Sequence, residues 1–83
     1  MADKANAPDT AVIVDARGES CPVPVIRLAR TVAEVPVGTE VVVLSDDPGA
    51  AIDIPVWCRM KSQTWLGEEP AAEGRAYRVR RAV

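Results

Sequence analysis

The chain contains no histidine and no phenylalanine, and only two of its 83 residues are cysteines. Without histidine, two cysteines cannot supply the four ligands of a structural zinc site from one chain, and no Cys–His pair can activate a nucleophile. No apolar run approaches the roughly 20 residues of a transmembrane helix. These absences exclude a zinc-stabilised module, a histidine-dependent enzyme and a membrane-spanning protein, and we expect neither a metal nor a cofactor.

Charge is modest and unevenly placed along the chain. The net charge is −2, although the last nine residues contain four arginines, Arg75, Arg78, Arg80 and Arg81. The overall negative charge argues against general polyanion binding, and the arginines favour a solvated strand face or a docking edge over nucleic-acid contact. Residues 1–11 are polar and lack the features of a signal peptide, which predicts a flexible N-terminal tail before a single domain over residues 12–83. A cytosolic location, where thiols stay reduced, is expected.

Apolar patterns predict the first three elements. The β-branched run at residues 12–14 predicts a strand, and Gly18 in the following turn favours a positive φ angle. A helix follows and is ended by Pro36 and Gly38. Residues 41–44 form an unbroken apolar run that predicts an interior, well-covered strand. The apolar face of this first predicted helix, which ends before Pro36, consists of Val25, Leu28, Ala29, Val32 and Ala33.

A second helix is predicted after the interior strand. Asp47 followed by Pro48 has the cap-then-proline pattern of a helix start, and the helix is expected to reach about Lys61. Pro55 lies within this stretch and cannot donate its intrahelical hydrogen bond. It therefore predicts either a kink or a restart with Asp53 as a second N-cap.

Two strands at residues 64–68 and 76–80, joined by a loop over residues 69–74, complete the chain. Since Trp65 and Leu66 are neighbours in a strand, only one can face the helices. We expect Leu66 to point inward and Trp65 to point outward or to lie at a sheet edge, where an exposed Trp would be a candidate partner contact. The order β-α-β-α-β-β predicts an α/β (α+β) fold, a two-layer sandwich with both helices on one face of a four-stranded mixed sheet.

Cys21 has the most distinctive local setting. It is followed by Pro22 and Pro24, whose missing N–H groups are tolerated in the first turn of a helix. Cys21 is a candidate N-cap. The helix could also start a residue or two later, because Val23 precedes a proline and is disfavoured in helical conformation. In both cases the sulfur would lie near the positive end of the helix. This position predicts a lowered thiol pKa. A low-pKa thiolate gains most as a leaving group, which is typical of a cysteine that accepts a group and then releases it.

The other candidate residues leave alternatives open. Arg17 and Arg27 are candidates for stabilising a Cys21 thiolate or persulfide, and the alternative for both is a solvated surface arginine. Cys58 has the sequence neighbours of a buried structural thiol, and the alternative is a redox partner of Cys21. The two prolines remove nearby N–H groups, which argues against a phosphate site at this helix start.

Several short motifs follow one another along the chain: Asp15, Gly18, Cys21-Pro22-Val23-Pro24, Gly38, Asp47-Pro48-Gly49-Ala50 and Asp53-Ile54-Pro55-Val56-Trp57-Cys58. Together these motifs resemble those of the TusA/SirA-like sulfur carriers. The resemblance covers about residues 12–81, and the CPxP element is specific only in combination with the later elements. One departure is Ser62-Gln63, where many members carry Gly-His, and this difference concerns the surface that would recognise partners.

The resemblance implies a two-layer β-α-β-α-β-β fold, the order that periodicity also predicts. It further implies a sulfurtransferase-type carrier in which Cys21 accepts sulfane sulfur as a persulfide. The donor would be a protein such as a cysteine desulfurase or a rhodanese, and the acceptor a second protein. Family members serve tRNA thiolation, molybdenum-cofactor supply and sulfur oxidation, and the motif does not choose among them.

Two other functions compete with the carrier hypothesis. A thiol-disulfide redox or sensor protein would use Cys21 together with Cys58, and it would need both sulfurs close and accessible. A non-catalytic binding module, for RNA or protein, would use the arginine-bearing last strand. RNA binding would also need exposed stacking aromatics, and the chain has only Trp57, Trp65 and Tyr77. No membrane contact and no direct nucleic-acid binding are expected for the carrier.

Overall fold

A computed structural model describes residues 11–83. The elements are β1 (Val12–Asp15), α1 (Val23–Glu34), β2 (Glu40–Ser45), α2 (Ala50–Met60), β3 (Thr64–Ala71) and β4 (Gly74–Arg80). The tail predicted over residues 1–11 lies, apart from Ala11, outside the described residues. None of the helices in the described part is long and apolar enough to cross a membrane.

The four strands form one mixed sheet in the order β1-β2-β4-β3. β1 runs parallel to β2, whereas β4 is antiparallel to both of its neighbours, β2 and β3. The predicted interior strand is confirmed, since Val41 and Val43 in β2 are fully buried. This strand therefore forms the centre on which the rest of the molecule packs.

Both helices cover the same face of the sheet. α1 contributes Leu28 and Val32 to the core, as predicted, whereas Ala33, which was predicted on the same face, is exposed. α2 contributes to the same cluster, and the sheet residues of the cluster alternate along their strands, as expected for one face. The two-layer sandwich is thus confirmed. The other buried members of the cluster are Val14, Ala16, Val41, Val43, Ala50, Ile54, Cys58, Tyr77 and Val79.

Helix α2 runs through its internal proline without a restart. Its N-cap is Gly49 rather than the predicted Asp47, and Asp53 lies in its first turn, so of the two alternatives at Pro55 the restart is wrong. Ile54 and Cys58, on either side of Pro55, are both buried in the core. Their packing holds the helix together although the N–H group at Pro55 is missing.

The last two strands are longer than predicted. They pair from Ala71 and Gly74 onward, so the loop is only two residues long instead of six. Pro70 is accommodated because β3 is an edge strand, where a missing N–H costs no ladder bond. A Cβ atom at Gly74 would lie 2.5 Å from the carbonyl oxygen of Ser45. Glycine is therefore required for the hairpin to lie against the end of β2.

The predicted inward orientation of Leu66 is wrong, and Trp65 faces the core from the edge strand β3 instead of pointing outward. Trp65 packs against the core, with its ring centroid 6.3 Å from that of Tyr77, and Leu66 is exposed. The register shifts at this point, because Trp65 pairs with the buried Val79 while Gly67 pairs with Arg78. The bulge places an extra residue in β3 and so changes which side chain faces inward.

Candidate functional site

Cys21 lies between β1 and α1, two residues before the first residue of the helix. Helix α1 begins at Val23 with Pro22 at the N-cap, so the later of the two predicted starts is the observed one. Pro24 is buried in the first turn, and Pro22 is exposed beside the thiol, with a cis peptide bond between Cys21 and Pro22. The thiol is free and half-buried at the edge of the core.

The sulfur also lies against the beginning of the second helix. A Cβ atom at Gly49, the N-cap of α2, would be 3.4 Å from the sulfur of Cys21. Glycine at this position keeps the space beside the sulfur open. The N-terminal ends of α1 and α2 therefore meet at one sulfur atom.

Asp47 joins the two helix starts. One oxygen of its carboxylate accepts the backbone N–H of Cys21 at 2.5 Å, and the other accepts that of Gly49 at 3.0 Å. The backbone N–H of Asp47 donates to the hydroxyl of Ser45 at 3.1 Å. The hydrogen bonds from the backbone N–H groups of Cys21 and Gly49 hold the pKa of the Asp47 carboxyl below its ordinary value. Asp47 is therefore a charged bridge that fixes the position of Cys21.

The turn before Cys21 is held by the neighbouring aspartate. Gly18 has a φ angle of 88°, as predicted, and its backbone N–H donates to both carboxylate oxygens of Asp46 at 3.0 and 3.1 Å. The loop between β1 and α1 is thus tied to the loop between β2 and α2 at two points. Both loops follow the C-terminal ends of β1 and β2, which lie side by side because the two strands are parallel.

The pKa of the Cys21 thiol is raised to about 11, with burial as the largest cause. A hydrogen bond to the Asp53 side chain and the negative charges of Asp47 and Asp53 raise it further. The predicted lowering of this pKa is wrong for the free chain. Desolvation and two carboxylates disfavour the thiolate more strongly than the adjacent helix ends favour it.

Arg17 and Arg27 are placed near the site but bind other groups. The guanidinium of Arg17 donates to both oxygens of Asp15, at 2.9 and 2.7 Å, and to the carbonyl of Ala72 at 3.1 Å. Arg27 donates to the carbonyl of Asp15 at 2.8 Å and to Glu19 at 3.0 Å. Burial, Asp53 and Asp47 are the main influences on the pKa of the Cys21 thiol, and neither arginine is among them. These contacts engage both guanidinium groups in the free chain, and a role for either arginine toward a Cys21 thiolate or persulfide stays a prediction.

The second cysteine lies in the core. Cys58 is 1% exposed and packs among apolar side chains of the sheet and both helices. Burial alone raises the pKa of its thiol to about 11. A thiol in this position is shielded from reagents and partner proteins, whereas Cys21 is half-buried at the surface.

The arginines of the last strand are largely occupied. Arg75 pairs with Glu68 at 2.8 Å, and Arg78 pairs with Glu40 at 2.6 Å and with Glu69 at 2.9 Å. The three aromatic side chains that a nucleic-acid surface would need, Trp57, Trp65 and Tyr77, all pack in or against the core. The RNA-binding alternative therefore lacks its stacking platform in the described structure.

The departure at Ser62-Gln63 has a structural role. Ser62 adopts a φ angle of 60° at the end of α2, and the side-chain oxygen of Gln63 accepts the backbone N–H of Ala82 at 2.6 Å. Ser62 turns the chain from α2 into β3, and Gln63 holds the C-terminal end of the chain in place through its hydrogen bond with Ala82. They lie at the opposite end of α2 from Gly49 and therefore away from Cys21.

Sequence reasoning missed the action of Asp47 and Asp53 on the thiol. Both residues belong to motifs and were predicted as helix caps. The signal that could have identified their action on the thiol is their presence in the DP and DIPxxC elements, which accompany the CPxP element. Asp47 is 26 positions from Cys21, and only the packing of α2 beside α1 brings them together. No periodicity within either segment contains that information.

The chain is similar to known proteins in both sequence and fold. The family model described as Sulfurtransferase TusA matches residues 12–81. A protein of Archaeoglobus fulgidus described as a sulfur carrier is 48% identical over 48 residues, which cover 58% of this chain and 66% of that protein. The crystal structure of a SirA-like protein from Desulfitobacterium hafniense superposes with a TM-score of 0.71 at 24% identity, covering 83% of this chain and 93% of that one. The structural likeness supports the fold, and the family match over most of the chain shows that the protein belongs to the TusA sulfurtransferase family.

Proposed function

We propose that this protein is a cytosolic sulfur carrier that accepts sulfane sulfur as a persulfide on Cys21 and passes it to an acceptor protein. The observation that carries the proposal is the position of Cys21, a free, half-buried thiol where two helix starts meet. Family membership gives the class of chemistry, and the burial of Cys58 leaves one thiol that a partner can reach. The carrier acts as one domain over residues 12–83.

The loading step exchanges one sulfur–sulfur bond for another. The Cys21 thiol loses its proton, and its sulfur attacks the outer sulfur of a cysteine persulfide on the donor. A new S–S bond forms on Cys21, the S–S bond of the donor breaks, and the donor thiolate that leaves takes up a proton. No net oxidation occurs, because the sulfane sulfur keeps its oxidation state. Unloading is the same exchange, with Cys21 now as the leaving thiolate.

Exposed apolar side chains near Cys21 support a protein as the partner. Val23 and Ile26 lie on the first turns of α1, and Ile52 and Val56 lie on α2 beside Asp53. Ile52 is the more exposed of the two side chains on α2, at 69%. Exposed apolar groups around a reactive group favour docking of another protein, here a donor such as a cysteine desulfurase or a rhodanese-like protein.

The proposal is tested by loading the chain from a persulfide-charged cysteine desulfurase and measuring intact mass. The wild-type chain should gain one sulfur atom, which peptide mapping should place on Cys21. Cys21→Ser should gain none and remain folded, because this position lies at the surface and its backbone bond to Asp47 does not need the sulfur.

Cys58→Ala is the matched control for that experiment. It should still accept sulfur on Cys21, with a loss of about 1–3 kcal/mol in unfolding free energy from an underfilled core position. Alkylation of native protein should modify Cys21 well before Cys58, because Cys58 is 1% exposed. A folded Cys58→Ala chain that cannot be loaded would favour the two-cysteine redox mechanism and contradict the single-cysteine carrier.

A further inference from the structure

A cavity of about 230 Å³ opens where the loop after β2 meets the β3–β4 hairpin. Residues 45–48 form one wall of this cavity, and Gly74, Arg75 and Tyr77 of β4 form the other. The volume is below the range of about 300–1,000 Å³ that is typical of sites for drug-sized ligands. The cavity therefore suits a ligand of a few non-hydrogen atoms.

Tyr77 brings an unpartnered hydroxyl to this cavity. The residue is only 2% exposed, and no hydrogen bond joins its hydroxyl to another group of residues 11–83. Every fully buried side-chain oxygen in that part of the chain has a partner, so the hydroxyl has to be the small part of Tyr77 that remains accessible. Since Tyr77 lines the cavity, its hydroxyl opens into it. A buried tyrosine normally pairs its hydroxyl, and this one is available to a ligand.

The charged groups of the cavity have both signs. The guanidinium of Arg75 donates to Glu68 through Nε at 2.8 Å, and its two Nη groups form no hydrogen bond within the described part of the chain. Asp46 is exposed, and its carboxylate accepts the backbone N–H of Gly18 and keeps further lone pairs. Asp47 adds a second negative charge. A ligand with both an ammonium and a carboxylate group matches these charges, whereas a simple anion would meet two carboxylates.

Asp47 connects the cavity to the reactive cysteine. It lines the cavity, and one of its carboxylate oxygens accepts the backbone N–H of Cys21. The other oxygen and the sulfur of Cys21 lie 3.5 and 3.4 Å from the same point, the position of a Cβ atom at Gly49. A ligand held against Asp47 is therefore close to the thiol.

We propose that this cavity binds a zwitterionic amino-acid persulfide, such as cysteine persulfide, as a small-molecule sulfur donor to Cys21. The ammonium group of the ligand pairs with Asp46, and its carboxylate accepts hydrogen bonds from the Nη groups of Arg75 and from the Tyr77 hydroxyl. The inference rests on the proposed function, because it adds a second class of donor to the protein donors considered there.

Loading from this donor is a balanced exchange. The Cys21 thiol loses its proton to solvent, and its sulfur attacks the outer sulfur of the bound persulfide. A new S–S bond forms on Cys21, the S–S bond of the donor breaks, and cysteine leaves as a thiolate that takes up a proton. The transferred sulfur keeps its oxidation state, so no oxidant or reductant is needed.

The first test measures binding of L-serine, which has the ammonium and carboxylate groups of cysteine but no sulfur. Titration into the full chain, followed by two-dimensional NMR, should give saturable shifts of the amide signals of Gly74, Arg75 and Tyr77. Tyr77→Phe should weaken binding at least about tenfold, because one hydrogen bond to a charged group is lost. This variant removes a hydroxyl that has no partner in the described chain, so the fold should stay intact. Arg80→Gln, on the same strand but outside the cavity, should bind serine as the wild type does.

Blocked analogues of serine identify the two charges that the cavity recognises. N-acetylserine lacks the ammonium group and serine methyl ester lacks the carboxylate, and both should bind at least about tenfold more weakly than serine. Arg75→Gln should remove most of the preference for serine over its methyl ester. The proposal is overturned if either analogue binds as tightly as serine, or if serine shifts no signal of the cavity residues.

The second test measures sulfur transfer to Cys21 by intact mass. The loading rate from cysteine persulfide is divided by the rate from cysteine methyl ester persulfide, and this ratio is compared between chains, which cancels the intrinsic reactivity of the two donors. The ratio should fall about tenfold in Tyr77→Phe and in Arg75→Gln, and it should be unchanged in Arg80→Gln. Equal ratios in the wild type and in Arg75→Gln would contradict the proposal.

The outcomes separate this inference from the proposed function. Serine binding involves no sulfur, so its result does not depend on whether the chain is a carrier. Normal loading from a desulfurase without serine binding would reject the small-molecule donor and leave the proposed function standing. Failure of the desulfurase to load a chain that binds serine would reject the proposed function and the transfer step, but not the amino-acid site.

Discussion

The Asp15–Arg17 pair shows how single side chains shape the approach to Cys21. Asp15 ends β1 and accepts two hydrogen bonds from the Arg17 guanidinium and one from the Arg17 backbone N–H. Arg17 also donates to the carbonyl of Ala72 in the β3–β4 turn. The pair therefore connects the loop that carries Cys21 to the turn of the β3–β4 hairpin.

The Asp15 carboxyl should titrate with a midpoint near pH 2, because its hydrogen bonds to Arg17 lower its pKa from 3.8 to about 2. Its stabilising effect is fully present above the ordinary pKa and is lost as the pH falls through the folded value. NMR detection of the side-chain carboxyl measures the midpoint directly. Arg17→Gln should return it toward 3.8, whereas Arg30→Gln on the exposed face of α1 should not. An Asp15 midpoint unaffected by Arg17→Gln would show that the pair does not form in solution.

At the scale of elements, α1 has two distinct surfaces that serve different purposes. Leu28 and Val32 are buried against the sheet and fix the helix in place. Val23 and Ile26, at the N-terminal end beside Cys21, are exposed although apolar. The buried surface therefore supports the fold, and the exposed apolar end is available to a partner.

Leu28→Ala should lower the unfolding free energy by about 2–5 kcal/mol, because the side chain is fully buried and its removal leaves a cavity. In a small domain this is a large share of the total stability. Ile26→Ala, on the same helix but 45% exposed, should change it by less than about 0.5 kcal/mol. Urea denaturation of the two variants measures both effects. Equal losses would mean that the helix is rotated about its axis relative to this structure.

At the scale of the whole molecule, the C-terminal segment after β4 connects the loop before β2 with the C-terminal end of α1. Arg81 exchanges backbone hydrogen bonds with Gly38 and Thr39 in the loop before β2, at 2.7 and 2.9 Å. Its guanidinium donates to the carbonyls of Val32 and Val35 at the end of α1, at 3.1 and 2.7 Å. A cation at this point satisfies carbonyl groups that have no partner within the helix.

Arg81→Ala should cost about 1–2 kcal/mol of unfolding free energy, because charged hydrogen bonds to partly buried carbonyls are lost. Arg80→Ala is the control, since the Arg80 side chain forms no hydrogen bond or ion pair within residues 11–83. Hydrogen exchange should show faster opening in the last turn of α1 only for Arg81→Ala. Protection that is unchanged in that turn would contradict the role of Arg81 as a helix cap.

The amino-acid sequence by itself determined the order of the elements, the interior position of β2 and the buried face of α1. Each of these depends on residues close together in the chain, where apolar spacing and β-branched runs report burial directly. The positive φ angle at Gly18 was also predictable, because turn conformation is a local property. The family resemblance was predictable for the same reason, since its motifs are short and contiguous.

Only the tertiary structure decided the features that depend on contacts between distant segments. A bulge against β4 turned Trp65 toward the core and left Leu66 exposed, and packing on both sides of Pro55 kept α2 continuous. The state of Cys21 was decided in the same way. The helix start next to it in sequence favours a thiolate, but folding buries the thiol and brings Asp47 and Asp53 to the sulfur, and these effects together favour the neutral form.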